Sequence, residues 1–185
     1  MTIDGLIGKN HEYADTRHQP VASKYPRERV AVVTCMDSRI DPQRLLGTEP
    51  GDIHVLRNAG GLITDDMVRS LAISQRRLGT TAIAVIQHTD CGMLALDDTE
   101  LADEIEAESG QRPPFPFLGF HNQEEQLVRS LGVLRGSPFL RHRDAIRGFI
   151  WDVHSGRLHE VTPEQTIEKP ATAVAGPDID GPLAL

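Results

Sequence analysis

The sequence predicts one α/β domain with a mainly parallel central sheet, and three observations support this prediction. Residues 30–34 and 82–86 are short, apolar and rich in β-branched side chains, which is typical of strands buried on both faces of a sheet. Segments with helical spacing alternate with the strands, as right-handed crossover connections require. Two apolar segments around a tight turn at 154–157 predict an antiparallel hairpin. We therefore expect a strand order of about 2-1-3-4, with an antiparallel edge strand and flanking helices.

Local patterns predict the individual elements. The predicted strands are residues 30–34, 53–56, 82–87, 148–153 and 158–161. The predicted helices are residues 2–17, 41–47, 65–78, 97–109 and 123–134. Asp41-Pro42 opens the second helix, because Asp is a good N-cap and Pro fits the first turn. Thr64 or Asp65 caps the third helix, Gly79 ends it, and a flexible turn is expected over residues 57–61.

Two segments carry apolar side chains that have no evident place in the core. The first helix has only a loose apolar face and is expected to be peripheral. Residues 111–122 combine prolines with Phe115, Phe117 and Phe120, so we expect a loop with apolar side chains to bury. Both segments are predicted to lie between subunits. The acidic residues of 97–109 are interpreted as a solvated helix face.

Length and charge limit the possible functions. We expect residues 1–162 to form a single domain with its N-terminal helix, and residues 163–185, with prolines among small and acidic residues, to form a flexible C-terminal tail. The chain has 19 Lys and Arg against 27 Asp and Glu, a net charge of -8, which disfavours a nucleic-acid or membrane partner. No apolar stretch reaches the roughly 18 residues of a membrane span, and the N-terminus lacks a signal-peptide pattern. A cytoplasmic location is therefore expected.

Three groups suited to bind a metal follow the first and third strands. Cys35 ends the first strand, and His88 and Cys91 follow the third. In parallel sheets, ligands bind beyond the carboxyl ends of the strands where the strand order reverses, and a 2-1-3 order brings these groups together there. Two cysteines and one histidine form the three-ligand set of a catalytic zinc site with one open position.

Other interpretations of these residues remain open. Cys35 and Cys91 are also compatible with ordinary buried thiols or a disulfide, and His54 or another histidine is able to complete a closed structural zinc site. Asp37 and Arg39, which follow Cys35 directly, are either functional groups or a structural pair that caps the next helix.

Five segments make the chain resemble the β-class carbonic anhydrases, especially their short bacterial and archaeal members. They are Cys35-Met36-Asp37-Ser38-Arg39, Arg57-Asn58-Ala59-Gly60-Gly61, Ser70-Leu71-Ala72 with Leu78-Gly79, His88-Thr89-Asp90-Cys91-Gly92-Met93, and Arg147-Gly148-Phe149 with Asp152 and Gly156-Arg157-Leu158. They occur in the family's order over roughly residues 25–162.

The resemblance implies a specific site and assembly. Cys35, His88 and Cys91 are expected to bind one zinc ion (Zn2+) per chain, with Asp37 and Arg39 as the catalytic dyad. A homodimer or higher homo-oligomer is implied, with active sites close to the subunit interface. The implied activity is the reversible hydration of CO2 to bicarbonate and a proton.

The residues suggest how that chemistry would proceed. A zinc-bound hydroxide attacks CO2, Asp37 orients the hydroxide through a hydrogen bond, and Arg39 holds Asp37 away from the open metal position. At low pH, Asp37 is expected to become the fourth zinc ligand in a closed form. Two alternatives remain: a related zinc hydrolase of carbonyl sulfide or carbon disulfide, and a non-catalytic, zinc-stabilised binding protein.

Overall fold

A five-stranded sheet organises the computed structural model, which describes residues 2–21 and 23–162. The strands are β1 (Val30–Cys35), β2 (His54–Asn58), β3 (Ala82–His88), β4 (Ile146–Trp151) and β5 (Leu158–Val161). Their order is β2-β1-β3-β4-β5, with parallel pairing except between β4 and β5. The predicted sheet order and its antiparallel edge strand are confirmed. The predicted tail, residues 163–185, lies outside the described residues.

Five helices accompany the sheet in the described part of the chain. They are α1 (Ile3–Thr16), α2 (Pro42–Leu46), α3 (Asp65–Leu78), α4 (Asp98–Ser109) and α5 (Gln123–Gly136). The predicted caps are confirmed, because the Asp41 side chain accepts a hydrogen bond from Arg44 N and the Thr64 side chain accepts one from Met67 N. Gly47 and Gly79 end α2 and α3 in the left-handed conformation.

The main core lies between one face of the sheet and helices α3 and α5. Val33 and Val85 from the sheet pack with Leu71 of α3 and with Leu127 and Leu131 of α5, and all five side chains are buried. Each such side chain contributes about 1.5–3 kcal/mol when fully buried. This packing makes β1 and β3 rigid, so the residues at their carboxyl ends have well-defined positions.

The strands extend further toward the predicted site than expected. Cys35 pairs with Asn58 and His88 pairs with Trp151, so both site residues lie within the sheet ladder. The segment 57–61, expected to be a flexible turn, forms a turn over a shorter span. Its first two residues belong to β2, and its glycines are buried in a 3-10 turn, Ala59–Gly61.

Two predictions about residues 97–122 also need correction. Phe120 is buried within its own chain, beside Cys35 and Cys91, and so has little surface left for contact with another subunit. Phe115, by contrast, is 59% exposed. Asp98 is not part of a purely solvated face, because its carboxylate accepts hydrogen bonds from three consecutive loop N–H groups, those of residues 117–119. Asp98 thereby anchors the loop to α4.

Gly61 supports the end of β1 by close packing. It has a φ of +62°, and a Cβ atom placed there would lie 2.9 Å from the carbonyl carbon of Thr34 and 3.0 Å from the nitrogen of Cys35. We expect Gly61→Ala to lower the free energy of unfolding by about 2–4 kcal/mol, since both the backbone conformation and the packing oppose a side chain.

Gly47 provides a matched control in urea unfolding experiments. Its φ is +64°, but a Cβ atom added to it would have no other atom within 4 Å. Gly47→Ala should therefore lower the free energy of unfolding by about 1 kcal/mol, because only the positive φ opposes the new side chain. Equal losses in the two variants would show that contact with β1 does not matter.

Candidate metal centre

Three side chains meet where β1 and β3 end. Cys35 is the last residue of β1, His88 is the last residue of β3, and Cys91 lies in the turn that follows. Their potential ligand atoms all lie within 4.8 Å of one another, and all three residues are buried. The structure thus brings together the three residues that the sequence indicated.

The His88 ring has one nitrogen suited to bind a metal. Nδ1 lies 2.9 Å from the carbonyl oxygen of Thr89, which only accepts hydrogen bonds, so Nδ1 carries the proton. Nε2 is then a lone-pair donor, and it is buried without a hydrogen-bond partner among the described residues. Burial lowers the pKa of His88, which favours this neutral ring. A buried nitrogen lone pair of this kind is normally paired with a hydrogen-bond donor or a metal ion.

The two cysteines are free thiols in a strongly desolvated setting. Cys35 is 4% exposed and Cys91 is 7% exposed. Burial, together with the proximity of Cys35, raises the pKa of Cys91 to about 11. A divalent cation between the sulfurs would reverse this preference, because it stabilises thiolates directly.

These donors fit a zinc ion. Two thiols and an imidazole nitrogen are the soft and borderline ligands that Zn2+ prefers, and three protein ligands are typical of its catalytic sites. His54 is not part of the cluster, because its Nδ1 lies 2.8 Å from Ser74 Oγ instead. The described residues thus favour a three-ligand arrangement over a closed site completed by His54.

Asp37 and Arg39 form a tight pair beside these donors. Arg39 Nε donates to Asp37 Oδ1 at 3.0 Å, Nη2 donates to Oδ2 at 2.8 Å, and the Arg39 backbone N–H donates to Oδ1 at 2.8 Å. These hydrogen bonds hold the pKa of Asp37 well below its usual range. Asp37 Oδ2 also lies 3.8 Å from His88 Nε2, so the carboxylate is adjacent to the metal donors.

Sequence reasoning assigned no role to two further polar side chains of the site. Arg57 Nε donates to the carbonyl of Cys35 at 2.9 Å and Nη2 donates to that of Asp37 at 2.7 Å, which fixes the turn after β1. Asp90 accepts a hydrogen bond from Arg39. The sequence did contain an indication of their role: each of these charged side chains lies at or just past the carboxyl end of a parallel strand.

Apolar side chains surround the cluster. Ile40, Leu62 and Phe120 are buried with the two cysteines, and Met93 and Trp151 pack against this group. Such surroundings exclude water and strengthen electrostatic interactions among the polar groups.

The parallel sheet and the buried Cys/His cluster at its strand ends define an α/β protein with a candidate metal centre. The sequence model of the carbonic anhydrase family matches residues 30–111. β-Carbonic anhydrase 1 of Mycobacterium tuberculosis is 42% identical over 164 residues, which cover 88% of this chain and all of the relative. The chain belongs to the β-carbonic anhydrase family, which confirms the resemblance noted in the sequence.

Two further relatives agree with this membership. The crystal structure of carbonic anhydrase from Streptococcus mutans superposes with a TM-score of 0.82 at 39% identity, covering 88% of this chain and 99% of that one. Carbon disulfide hydrolase of Acidianus sp. is 31% identical over 189 residues, covering 89% of this chain and 90% of the relative. The family fold therefore also supports a second activity among relatives.

Proposed function

We propose that this protein catalyses the reversible hydration of CO2 to bicarbonate and a proton, with one zinc ion held by Cys35, His88 and Cys91. One observation carries the proposal: the three buried donors lie beside a carboxylate, Asp37, that Arg39 holds 3.8 Å from His88 Nε2. A metal site with three protein ligands and an oriented hydrogen-bond acceptor beside it suits the activation of water.

Zinc would supply Lewis-acid activation of water when bound. The residues of the chain would direct that reactivity. Asp37 Oδ2 is placed to accept a hydrogen bond from the nucleophile, which turns an oxygen lone pair toward the substrate carbon. The carboxylate suits this role because Arg39 keeps it ionised.

Arg39 would also keep Asp37 from binding the metal itself. Arg39 donates to both carboxylate oxygens, so these hydrogen bonds oppose a movement of Asp37 toward the metal position. Ligation of the metal by Asp37 in a closed, low-pH form stays a prediction.

The apolar side chains of Ile40, Leu62 and Phe120, which are buried beside the two cysteines, suit the proposed substrate. CO2 carries no net charge and no dipole, so a small apolar pocket is enough to bind it. Bicarbonate is charged, and its release from these surroundings is correspondingly favourable.

A second activity, hydrolysis of carbon disulfide or carbonyl sulfide, is favoured by the 31% identity to the carbon disulfide hydrolase of Acidianus sp.. The test measures CO2 hydration by stopped flow and sulfide release from both sulfur substrates, on protein of known zinc content. Activity in the first assay supports the proposal, and sulfide release alone supports the second candidate. Zinc-loaded protein that is inert in both assays would instead be a zinc-stabilised binding protein.

We also propose that the protein is a homodimer or higher homo-oligomer. α1 has no buried residue, and its apolar side chains Ile3, Leu6 and Ile7 are exposed. A groove of about 410 Å³ on the sheet face opposite the main core is lined by apolar side chains, including Val30 and Phe149. An unpartnered helix and an apolar groove on the same chain suit pairing between copies.

Substitutions in α1 test this assembly. The double variant Leu6→Asp, Ile7→Asp is expected to shift the protein toward monomers in sedimentation velocity, because it adds charge to the apolar face. Asn10→Asp adds one charge to the same helix and should leave the distribution unchanged. Wild-type protein that sediments as a monomer at high concentration would contradict the proposal.

No helix in the described residues is long and apolar enough to cross a membrane, and the cytoplasmic location stays a prediction.

A further inference from the structure

Asp90 lies between two proposed metal ligands in an unusual backbone conformation. Its φ is +54°, in the left-handed region that non-glycine residues seldom adopt and that Asp and Asn tolerate best. This conformation bends the chain between His88 and Cys91 and directs the Asp90 side chain toward Arg39. Backbone conformations of this kind persist where the surrounding structure holds them in place.

Asp90 and Asp37 share the same guanidinium group. Arg39 Nη1 donates to Asp90 Oδ2 at 2.7 Å, and Arg39 Nη2 donates to the Asp90 carbonyl at 2.8 Å. Nε and Nη2 of the same group donate to Asp37. Arg39 therefore bridges the turn after β1 and the turn after β3, and its planar geometry sets the angle between the two carboxylates.

Without the Asp90 carboxylate, the Arg39 side chain would keep Asp37 and the backbone carbonyl of residue 90 as partners but would lose its 2.7 Å hydrogen bond from Nη1. That side chain is 44% exposed, so it has room to adopt other rotamers in solvent. Asp90 itself is 71% exposed on its side chain and is not one of the clustered metal donors. The hydrogen bond from Arg39 Nη1 therefore links the Asp90 carboxylate to the site.

We infer that Asp90 is a positioning residue: it orients Arg39, and through Arg39 it orients the Asp37 carboxylate beside the metal donors. The inference deepens the proposed function and rests on it, because Asp37 is the group whose orientation matters. It assigns Asp90 no contact with substrate.

The test is a double-mutant cycle between Asp90→Asn and Arg39→Ala. Asparagine keeps the preference for a positive φ and removes only the charge, so the backbone bend should persist. We expect Asp90→Asn to lower kcat about threefold to tenfold, with KM and zinc content nearly unchanged, because it weakens a partly exposed charge-assisted hydrogen bond. In the Arg39→Ala background, the same change should have no further effect.

Each other outcome would overturn the inference. Full activity of Asp90→Asn, or an equal loss in both backgrounds, would show that Asp90 does not act through Arg39. Loss of zinc would show instead that Asp90 supports the conformation of the turn between His88 and Cys91. Asp66→Asn, which breaks an exposed ion pair with Arg69 on α3, is the matched control and should keep wild-type activity.

A structural measurement separates this inference from the proposed function. Crystal structures of the wild type and of Asp90→Asn should show Arg39 in a single conformation only when Asp90 is present. This comparison tests the inference even if zinc-loaded wild type is inert toward CO2, a result that would refute the proposed function alone. An unchanged Arg39 in the variant would refute the positioning role.

Discussion

Cys35→Ser and Cys91→Ser are each expected to lose most of the bound zinc and to reduce CO2 hydration by more than about a hundredfold. Loss of a group that only hydrogen-bonds to a metal ligand already lowers metal affinity or activity by about 10–100-fold, so loss of a ligand itself should cost more. A hydroxyl is a much poorer zinc ligand than a thiolate. The two sulfurs and His88 Nε2 lie within 4.8 Å of one another, so serine would replace a donor at the centre of the cluster. Elemental analysis after dialysis against a weak chelator measures the zinc content.

A buried control separates loss of a ligand from a general loss of stability. Ser130 lies in α5 and is buried, with a hydroxyl that has no hydrogen-bond partner among the described residues. Ser130→Ala should keep full zinc content and activity. Circular dichroism would verify that the serine variants at positions 35 and 91 remain folded. Full zinc content in both of those variants would refute the assignment of the ligands.

Arg39→Ala is expected to reduce CO2 hydration roughly tenfold to a hundredfold while zinc content stays unchanged. The variant loses both side-chain hydrogen bonds that hold the Asp37 carboxylate, one to each of its oxygens. Asp37 Oδ2 is already 3.8 Å from His88 Nε2, so a released carboxylate needs to move little to compete for the open metal position. Stopped-flow assays and elemental analysis on the same preparation measure both quantities.

Arg69→Ala is the control for removal of an exposed, ion-paired arginine. Arg69 pairs with Asp66 at 2.8 Å on α3, and the two side chains are 65% and 75% exposed. This variant should keep wild-type activity. If Arg39→Ala were equally active, Asp37 and Arg39 would be a structural pair at the start of α2, which is the alternative that the sequence left open.

Local patterns in the sequence were sufficient for the fold class and for most elements. Alternating strands and helices predicted the parallel sheet, and the caps of α2 and α3 followed from Asp41, Thr64 and their glycine stops. Such patterns depend on residues only a few positions apart, so they can be identified from the sequence alone. Cys35, His88 and Cys91 were found in the same way, because each follows a strong strand signal and parallel strands end at one edge of the sheet.

Only the tertiary structure decided which polar groups act together at that edge. Arg39 binds Asp90, 51 positions away, and Arg57 binds the carbonyl of Cys35, 22 positions away. These contacts depend on the register of three strands and on the rotamers of long side chains, which no local pattern encodes. The expected flexible turn after β2 is instead a buried one, because Gly61 packs against the end of β1. The sequence by itself therefore determined the candidate metal donors, whereas packing between distant segments determined the hydrogen bonds that orient the groups around them.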